Sequence, residues 1–240
     1  QEGLTRKMAF EREKQNAAAA AMDYVEDGMT IGLGTGSTAK YFVELLADEI
    51  ADGLLVRCIE TSVQTRDLAR SLGVPLIPFE QVDRIHLTVD GADEAGPGGV
   101  LIKGGGAALL REKIIANASD HMVVIADPSK DVQALGAFPL PVEVTPFGYT
   151  ITAKKVHDAL TAAGVERPRV ELRKAPGSVD LLVTDGGNYI LDCHCGLIPD
   201  PPRAAAYLSG VPGVVEHGLF IGIARTVIFG TENGARIIEY

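Results

Sequence analysis

The first half of the chain alternates short apolar runs with stretches of helical spacing, and this alternation limits the fold more than any other feature. A helix is expected over about residues 5–26, carrying the alanine run Ala17–Ala21 and stopping at Asp27-Gly28. Short strands are expected at Met29–Leu33, Leu54–Ile59, Pro75–Ile77, Ile85–Val89, Gly99–Ile102 and Met122–Ala126. Helices are expected between them at Ser37–Ile50, Ser62–Leu72 and Ala107–Ala118. Strands joined through helices of about 10–15 residues make a mostly parallel sheet with helices on its faces. The fold class is therefore α/β.

After Pro139 the texture changes. Leu140–Val144, Arg169–Leu172, Leu181–Thr184 and Tyr189–Asp192 read as strands, with helices at about 150–163 and 202–209. The turn Asp185-Gly186-Gly187-Asn188 has hairpin chemistry, which joins adjacent antiparallel strands. Residues 137–212 are expected to form a smaller α+β domain. Residues 1–136 and 213–240 are expected to form the larger one, with Leu219–Ile223, Thr226–Phe229 and Arg236–Ile238 rejoining its sheet. A length of 240 residues fits one large domain, or one medium and one small one.

Composition excludes several functions. The net charge of −10 repels nucleic acid and acidic membrane surfaces. Trp is absent and aromatics reach only 5%, so platforms for stacking single-stranded bases are not expected. No run of 18 apolar residues predicts a membrane span, and the charged N-terminus lacks the apolar core of a secretory signal. Three cysteines, Cys58, Cys193 and Cys195, make a disulfide framework improbable and fit a reducing cytoplasm.

Met29–Leu33 runs into Gly34-Thr35-Gly36-Ser37-Thr38 and then a helix. Such a turn lets backbone N–H groups at the helix start face an anion, with Ser37 and Thr38 adding hydroxyls. The other reading is a tight turn with an N-cap serine. The dinucleotide fingerprint is broken, because Ser37 stands where its last glycine belongs and Asp52 falls at the end of the helix. No Gly-Lys-Ser/Thr closes a P-loop.

Asp90-Gly91-Ala92-Asp93-Glu94 follows the strand Ile85–Val89. Ligands in open parallel sheets sit outside the carboxyl ends of strands. Three carboxylates in five residues make a solvated turn, a metal site or acid–base machinery, and a metal would call for histidines or more carboxylates at ligand spacing. Lys103-Gly104-Gly105-Gly106 follows another strand, and its glycines permit close backbone approach to a ligand. Glu112 has Ala108, Leu109, Ile115 and Ala116 as helical neighbours, on a helix expected to be buried on most sides. A carboxylate there is either a proton shuttle or half of a buried ion pair with Arg111 or another cation. Cys193-His194-Cys195 invites a zinc reading, but on a strand its cysteines face one side and its histidine the other. His86, His121, His157 and His217 are isolated along the chain and read as structural or exposed.

Taken together, the glycine loop Gly32–Thr38, the acidic loop Asp90–Glu94, Lys103–Lys113, Ala126-Asp127-Pro128-Ser129-Lys130 and Phe138–Val144 resemble ribose-5-phosphate isomerase, type A. The match covers essentially the whole chain, although Gln1 to about Thr5 corresponds to none of its motifs. The resemblance implies a Rossmann-like domain, a small α+β domain, a homodimer or homotetramer, and interconversion of ribose 5-phosphate and ribulose 5-phosphate without metal or nucleotide cofactor. It implies that Glu112 is the catalytic base and that Asp90, Asp93 and Lys103 are its active-site partners. It assigns sugar-phosphate binding to Thr35, Gly36, Ser37 and Thr38, to Asp90, Gly91, Ala92 and Asp93, and to Lys103, Gly104, Gly105, Gly106 and Lys130. Lys14 corresponds to a further phosphate contact. The rivals are a coenzyme-A transferase, in which a glutamate is the nucleophile, a non-catalytic sugar-phosphate sensor, and a nicotinamide-dependent dehydrogenase.

Overall fold

The computed structural model describes residues 10–240. Residues 5–9 of the expected first helix, and the stretch Gln1 to Thr5, lie outside the described residues. The chain divides into two compact units. The first holds the residues up to 91, with 115–131 and 224–240; the second holds 92–114 and 132–223.

The first unit is built on a six-stranded sheet in the order Gly234–Glu239, Thr226–Thr231, Ser119–Ala126, Ile85–Asp90, Thr30–Leu33, Arg57–Glu60. Every pair is parallel except the terminal hairpin of Thr226–Thr231 with Gly234–Glu239. Strands covered on both faces are apolar without alternation, as Met122 to Ala126 shows. The helix Ser37–Ala51 buries Phe42, Val43 and Leu46 against Ile31, Leu33, Leu87, Val89 and Ile125. The helix Glu11–Ala21 lies on Thr226–Thr231, and Gly230 permits this because a Cβ there would collide with the Glu13 carbonyl. Pairing of Leu33 with Val89 brings Gly34 and Asp90 out side by side at the carboxyl ends of their strands.

The second unit has two antiparallel sheets. One runs Val214–His217, Leu140–Val144, Tyr189–His194, Arg169–Leu172, and the other Leu219–Phe220, Leu101–Ile102, Glu94–Ala95. The helices Tyr149–Ala162 and Pro201–Ser209 contribute Val156, Leu160, Ala204 and Leu208 to a core with Val142, Val144, Leu191 and Cys193. No helix among the described residues is long and apolar enough to cross a membrane.

The α/β class and its parallel sheet are as the alternation predicts; several details differ. Leu181–Thr184 is not a strand and keeps one bridge, Leu181 to Lys174. Val183 is exposed there and Leu181 and Leu182 are only half-buried. The turn before Tyr189 is instead tied down by Thr184, whose hydroxyl accepts from the Gly186 and Asn188 N–H groups and donates to Glu143. Pro75–Ile77 likewise reduces to one bridge, Leu76 to Cys58. The strands Glu94–Ala95 and Val214–His217 have no counterpart in the periodicity. Leu219–Phe220 pairs with Leu101–Ile102 and does not rejoin the parallel sheet. Residues 92–114, 132–136 and 213–223 fall in the second unit.

Candidate active site

In the first unit the glycine loop and Asp90 form one structure. The Asp90 side chain is fully buried, and its Oδ1 accepts from the Thr35 N–H at 3.1 Å and from the Gly91 N–H at 2.7 Å. Gly34 has no alternative: a Cβ there would lie 2.5 Å from the Asp90 Cα. Gly36 caps the helix Ser37–Ala51 at φ 115, a conformation suited to glycine. Gly36 and Ser37 are exposed and Thr38 is buried, so the start of the helix is open to a ligand.

The Thr35 hydroxyl turns inward. It lies 2.7 Å from Thr61 Oγ1, donates to Ser62 Oγ at 2.8 Å and sits 3.2 Å from Thr65 Oγ1. Thr61 and Thr65 in turn donate to the Leu33 and Gly34 carbonyls at 2.8 and 2.9 Å. This buried hydroxyl cluster holds the loop from behind. Sequence reasoning missed it; its one local signal is Ser62, which caps the helix Val63–Ser71 by accepting from the Thr65 N–H.

Two of the lysines assigned to phosphate binding also belong to this unit. Lys14 Nζ donates to Glu11 Oε1 at 3.2 Å, and Glu11 also takes the Tyr41 hydroxyl. That hydroxyl lowers the Glu11 carboxyl, and the same contact raises the Tyr41 phenol. Lys130 is half-buried at the end of the turn Pro128–Lys130 and makes no ion pair among the described residues.

In the second unit the Asp93 carboxylate accepts from the Gly105 N–H at 2.7 Å. A side chain on Gly105 would strike the Asp93 Cγ at 3.0 Å, and one on Gly104 would lie 2.8 Å from Leu109 Cδ2. Ala92 and Asp93 are half-buried, while Gly105 and Gly106 are exposed. Glu94, the third carboxylate of the acidic run, is structural: it accepts the Gly136 and Phe138 N–H groups at 2.7 and 2.6 Å.

Glu112 is 3% exposed and Lys103 2%, and Lys103 Nζ lies 3.3 Å from Glu112 Oε1. The cation facing Glu112 is thus Lys103. Arg111 reaches Asp185 instead, at 3.8 Å. The helix Leu109–Ala118 buries Leu109, Glu112, Ile115 and Ala116 but leaves Ile114 49% exposed, so it is covered on one face only. Lys113 points the other way, donating to Glu216 Oε1 at 2.7 Å and to the His217 carbonyl at 2.5 Å. Burial lowers the Lys113 ammonium, and burial with the nearby Lys113 charge pushes His217 down to about 4. Phe220 is fully buried, with Lys103 Nζ 5.5 Å and Lys113 Nζ 5.0 Å from its ring centroid. His217 is therefore part of a cluster, not an isolated histidine.

Cys193 and Cys195 are buried and His194 faces the opposite side, where it meets Glu171 at 3.3 Å. Burial raises the Cys58 and Cys195 thiols to about 12 and holds the Cys193 thiol well above its ordinary value, which keeps all three protonated. No three metal-ligating side chains converge among the described residues.

The parallel sheet with a glycine turn at its strand ends, in a chain that also carries a buried lysine–glutamate pair, defines a Rossmann-like α/β protein equipped for acid–base work on a small anion. The sequence model of ribose 5-phosphate isomerase A (phosphoriboisomerase A) matches residues 57–234. Ribose-5-phosphate isomerase A of Maricaulis maris is 56% identical over 228 residues, covering 95% of this chain and 98% of the relative. That of Nitrobacter hamburgensis is 53% identical, covering 97% and 99%. The solved ribose 5-phosphate isomerase A of Methanocaldococcus jannaschii superposes with a TM-score of 0.88 at 35% identity, covering 97% and 100%. A D-ribose-5-phosphate isomerase solved in complex with phospho-erythronic acid gives 0.87 at 38% identity, covering 95% and 97%. The chain belongs to the ribose 5-phosphate isomerase A family.

Proposed function

We propose that this chain interconverts D-ribose 5-phosphate and D-ribulose 5-phosphate through a cis-enediolate, a step of the non-oxidative pentose phosphate pathway, with Glu112 as the base. The relatives that carry this activity in their names align along nearly the whole chain. The observation that carries the assignment of the base is the pair Lys103–Glu112, a carboxylate and an ammonium 3.3 Å apart and both withdrawn from water.

The chemistry follows from the residue types. The furanose opens when the proton of the anomeric hydroxyl leaves and the ring oxygen gains one, a transfer suited to Asp90 or Asp93. Glu112 takes the proton from C2 of the aldehyde, and the electron pair moves through C1 to its oxygen. The Lys103 ammonium stabilises that negative oxygen, as a preorganised cation does. Glu112 returns the proton to C1, and the hydroxyl proton of O2 passes to O1, which leaves the ketone at C2 and a hydroxyl at C1. Phospho-erythronic acid, bound by the relative noted above, is an open-chain acid whose carboxylate offers two oxygens as an enediolate does.

The phosphate is read as held by Gly36, Ser37 and Thr38 at the helix start, with Thr35 supporting the loop and Lys130 and Lys14 adding charge. Gly91, Ala92 and the Lys103–Gly106 loop give the sugar close backbone approach. General acid–base steps supply about 10²–10⁴-fold, so binding and positioning provide much of the rest. We place the protein in the cytoplasm, as three buried free thiols favour. We also read it as a homodimer or homotetramer; Phe147, 92% exposed, is the kind of apolar surface an interface covers.

A coupled assay with ribose 5-phosphate in the presence of EDTA tests the activity, and Glu112→Gln tests the base. The variant is expected to fold and to lose most of its turnover. Near-parental turnover in Glu112→Gln would remove Glu112 from the mechanism.

A further inference from the structure

The Gly104–Gly105 peptide is gripped at both ends. Its N–H donates to Asp93 Oδ2 at 2.7 Å, and its carbonyl accepts from Arg173 Nη1 at 2.9 Å. The same Nη1 also donates to the Gly105 carbonyl at 3.2 Å. The rest of the guanidinium is locked on Asp192, with Nε to Oδ2 at 2.9 Å and Nη2 to Oδ1 at 2.5 Å. Four of the five guanidinium donors are thus committed, two to a carboxylate and two to the loop. Asp192 sits on the strand Tyr189–His194, and Arg173 follows Arg169–Leu172, so the clamp is anchored in the antiparallel sheet.

A peptide between two glycines turns easily, because neither flanking residue has a Cβ to resist. Gly104, at φ 107, is in a region other residues avoid. Turning this peptide would break the Arg173 and Asp93 bonds together. We propose that Arg173, locked by Asp192, is a positioning residue for the isomerase reaction: it fixes the Gly104–Gly105 peptide and, through its N–H, the carboxylate of Asp93. The guanidinium on the carbonyl also polarises the peptide and strengthens its N–H as a donor. This inference rests on the reading of Asp93 as an active-site group.

The test uses the full chain with ribose 5-phosphate, recording kcat, KM and the thermal midpoint of each variant. Misplacing a reacting group by about 1 Å can cost about 10²-fold. Arg173→Gln and Arg173→Lys are therefore expected to lower kcat about tenfold or more, while KM rises by less than kcat falls, because the Thr35–Thr38 loop is untouched although Gly104 and Gly105 also approach the sugar. Lysine keeps the charge but not the fork, so it should not rescue. Asp192→Asn, which retains Arg173 and loosens it, is expected to move kcat the same way and serves if the Arg173 variants do not fold. The pair Asp93→Asn with Arg173→Gln should be no slower than Asp93→Asn alone, a non-additivity that loss of stability would not produce. Full kcat in folded Arg173→Lys and Asp192→Asn overturns the proposal, as does an additive double variant. If Asp93→Asn itself keeps parental kcat, the reading of Asp93 fails; if it loses turnover while the Arg173 variants keep theirs, the positioning role alone fails.

Discussion

Lys103 and Glu112 are nine residues apart in sequence and meet as a buried ion pair, 3.3 Å from Nζ to Oε1. Removing one charge of such a pair costs more than removing both, because the charge left behind has been desolvated without its counter-charge. Lys103→Met is expected to lower unfolding stability by up to about 3–5 kcal/mol. Lys103→Met combined with Glu112→Gln should recover part of that loss while remaining inactive. Urea unfolding of the single and double variants decides it; a double variant less stable than both singles would show that the pair does not behave as a coupled buried charge pair.

The glycine loop makes a steric prediction with an internal control. A Cβ on Gly34 would sit 2.5 Å from backbone of Asp90, whereas a Cβ on Gly91 would meet nothing nearer than 3.9 Å. Backbone cannot step aside as a side chain can, and overpacking costs about 1–3 kcal/mol or more. Gly34→Ala is expected to destabilise the protein and to raise KM, because Asp90 and the Thr35 N–H must separate. Gly91→Ala is expected to leave stability within about 0.5 kcal/mol. Thermal melts and Michaelis curves of the two variants, side by side, are the measurement.

The hydroxyl cluster behind that loop should be energetically visible. Thr35→Val keeps the shape and the backbone N–H that meets Asp90, but removes the hydroxyl that Thr61, Ser62 and Thr65 surround. A buried polar group deprived of its partner costs about 1–3 kcal/mol. Thr35→Ser should lose less, since it restores the hydroxyl. Equal stability of the valine and serine variants, by urea midpoint, would mean the cluster contributes nothing.

What could be read in the sequence was what is local. The helical spacing around Glu112 marked a carboxylate among Ala108, Leu109, Ile115 and Ala116, and all four are buried. It could not choose between a shuttle and an ion pair, nor name Lys103, because the partner depends on a strand and a glycine turn. The alternation in residues 29–126 indicated the parallel sheet, since crossover helices leave a periodic trace. The strand Glu94–Ala95 left none, being two residues long, and Leu219–Phe220 was legible as a strand but not its partner Leu101–Ile102, more than a hundred residues away. Arg173 and Asp192 were invisible for the same reason. Each is an ordinary charged residue beside or on a β-strand, and only the fold brings the pair to the Gly104–Gly105 peptide.

His217 gives the protein a pH dependence of known sign. Burial, then the charge of Lys113, lowers its folded value to about 4, against an ordinary value of 6.5. The geometry agrees, because Nδ1 accepts the Leu219 N–H at 3.2 Å and lies 3.3 Å from the Lys113 ammonium, so a proton there would face two donors. The native state stays neutral while the unfolded chain takes up a proton below about 6.5. Stability is therefore fully present above that pH and is lost as pH falls toward 4, by at most about 3 kcal/mol, with no further loss from this group below it. His217→Asn keeps an acceptor near Nδ1 but cannot titrate. Urea midpoints at pH 7 and pH 4.5 should fall further for the parent than for His217→Asn; parallel falls in the two proteins would mean that His217 is not held neutral by the fold.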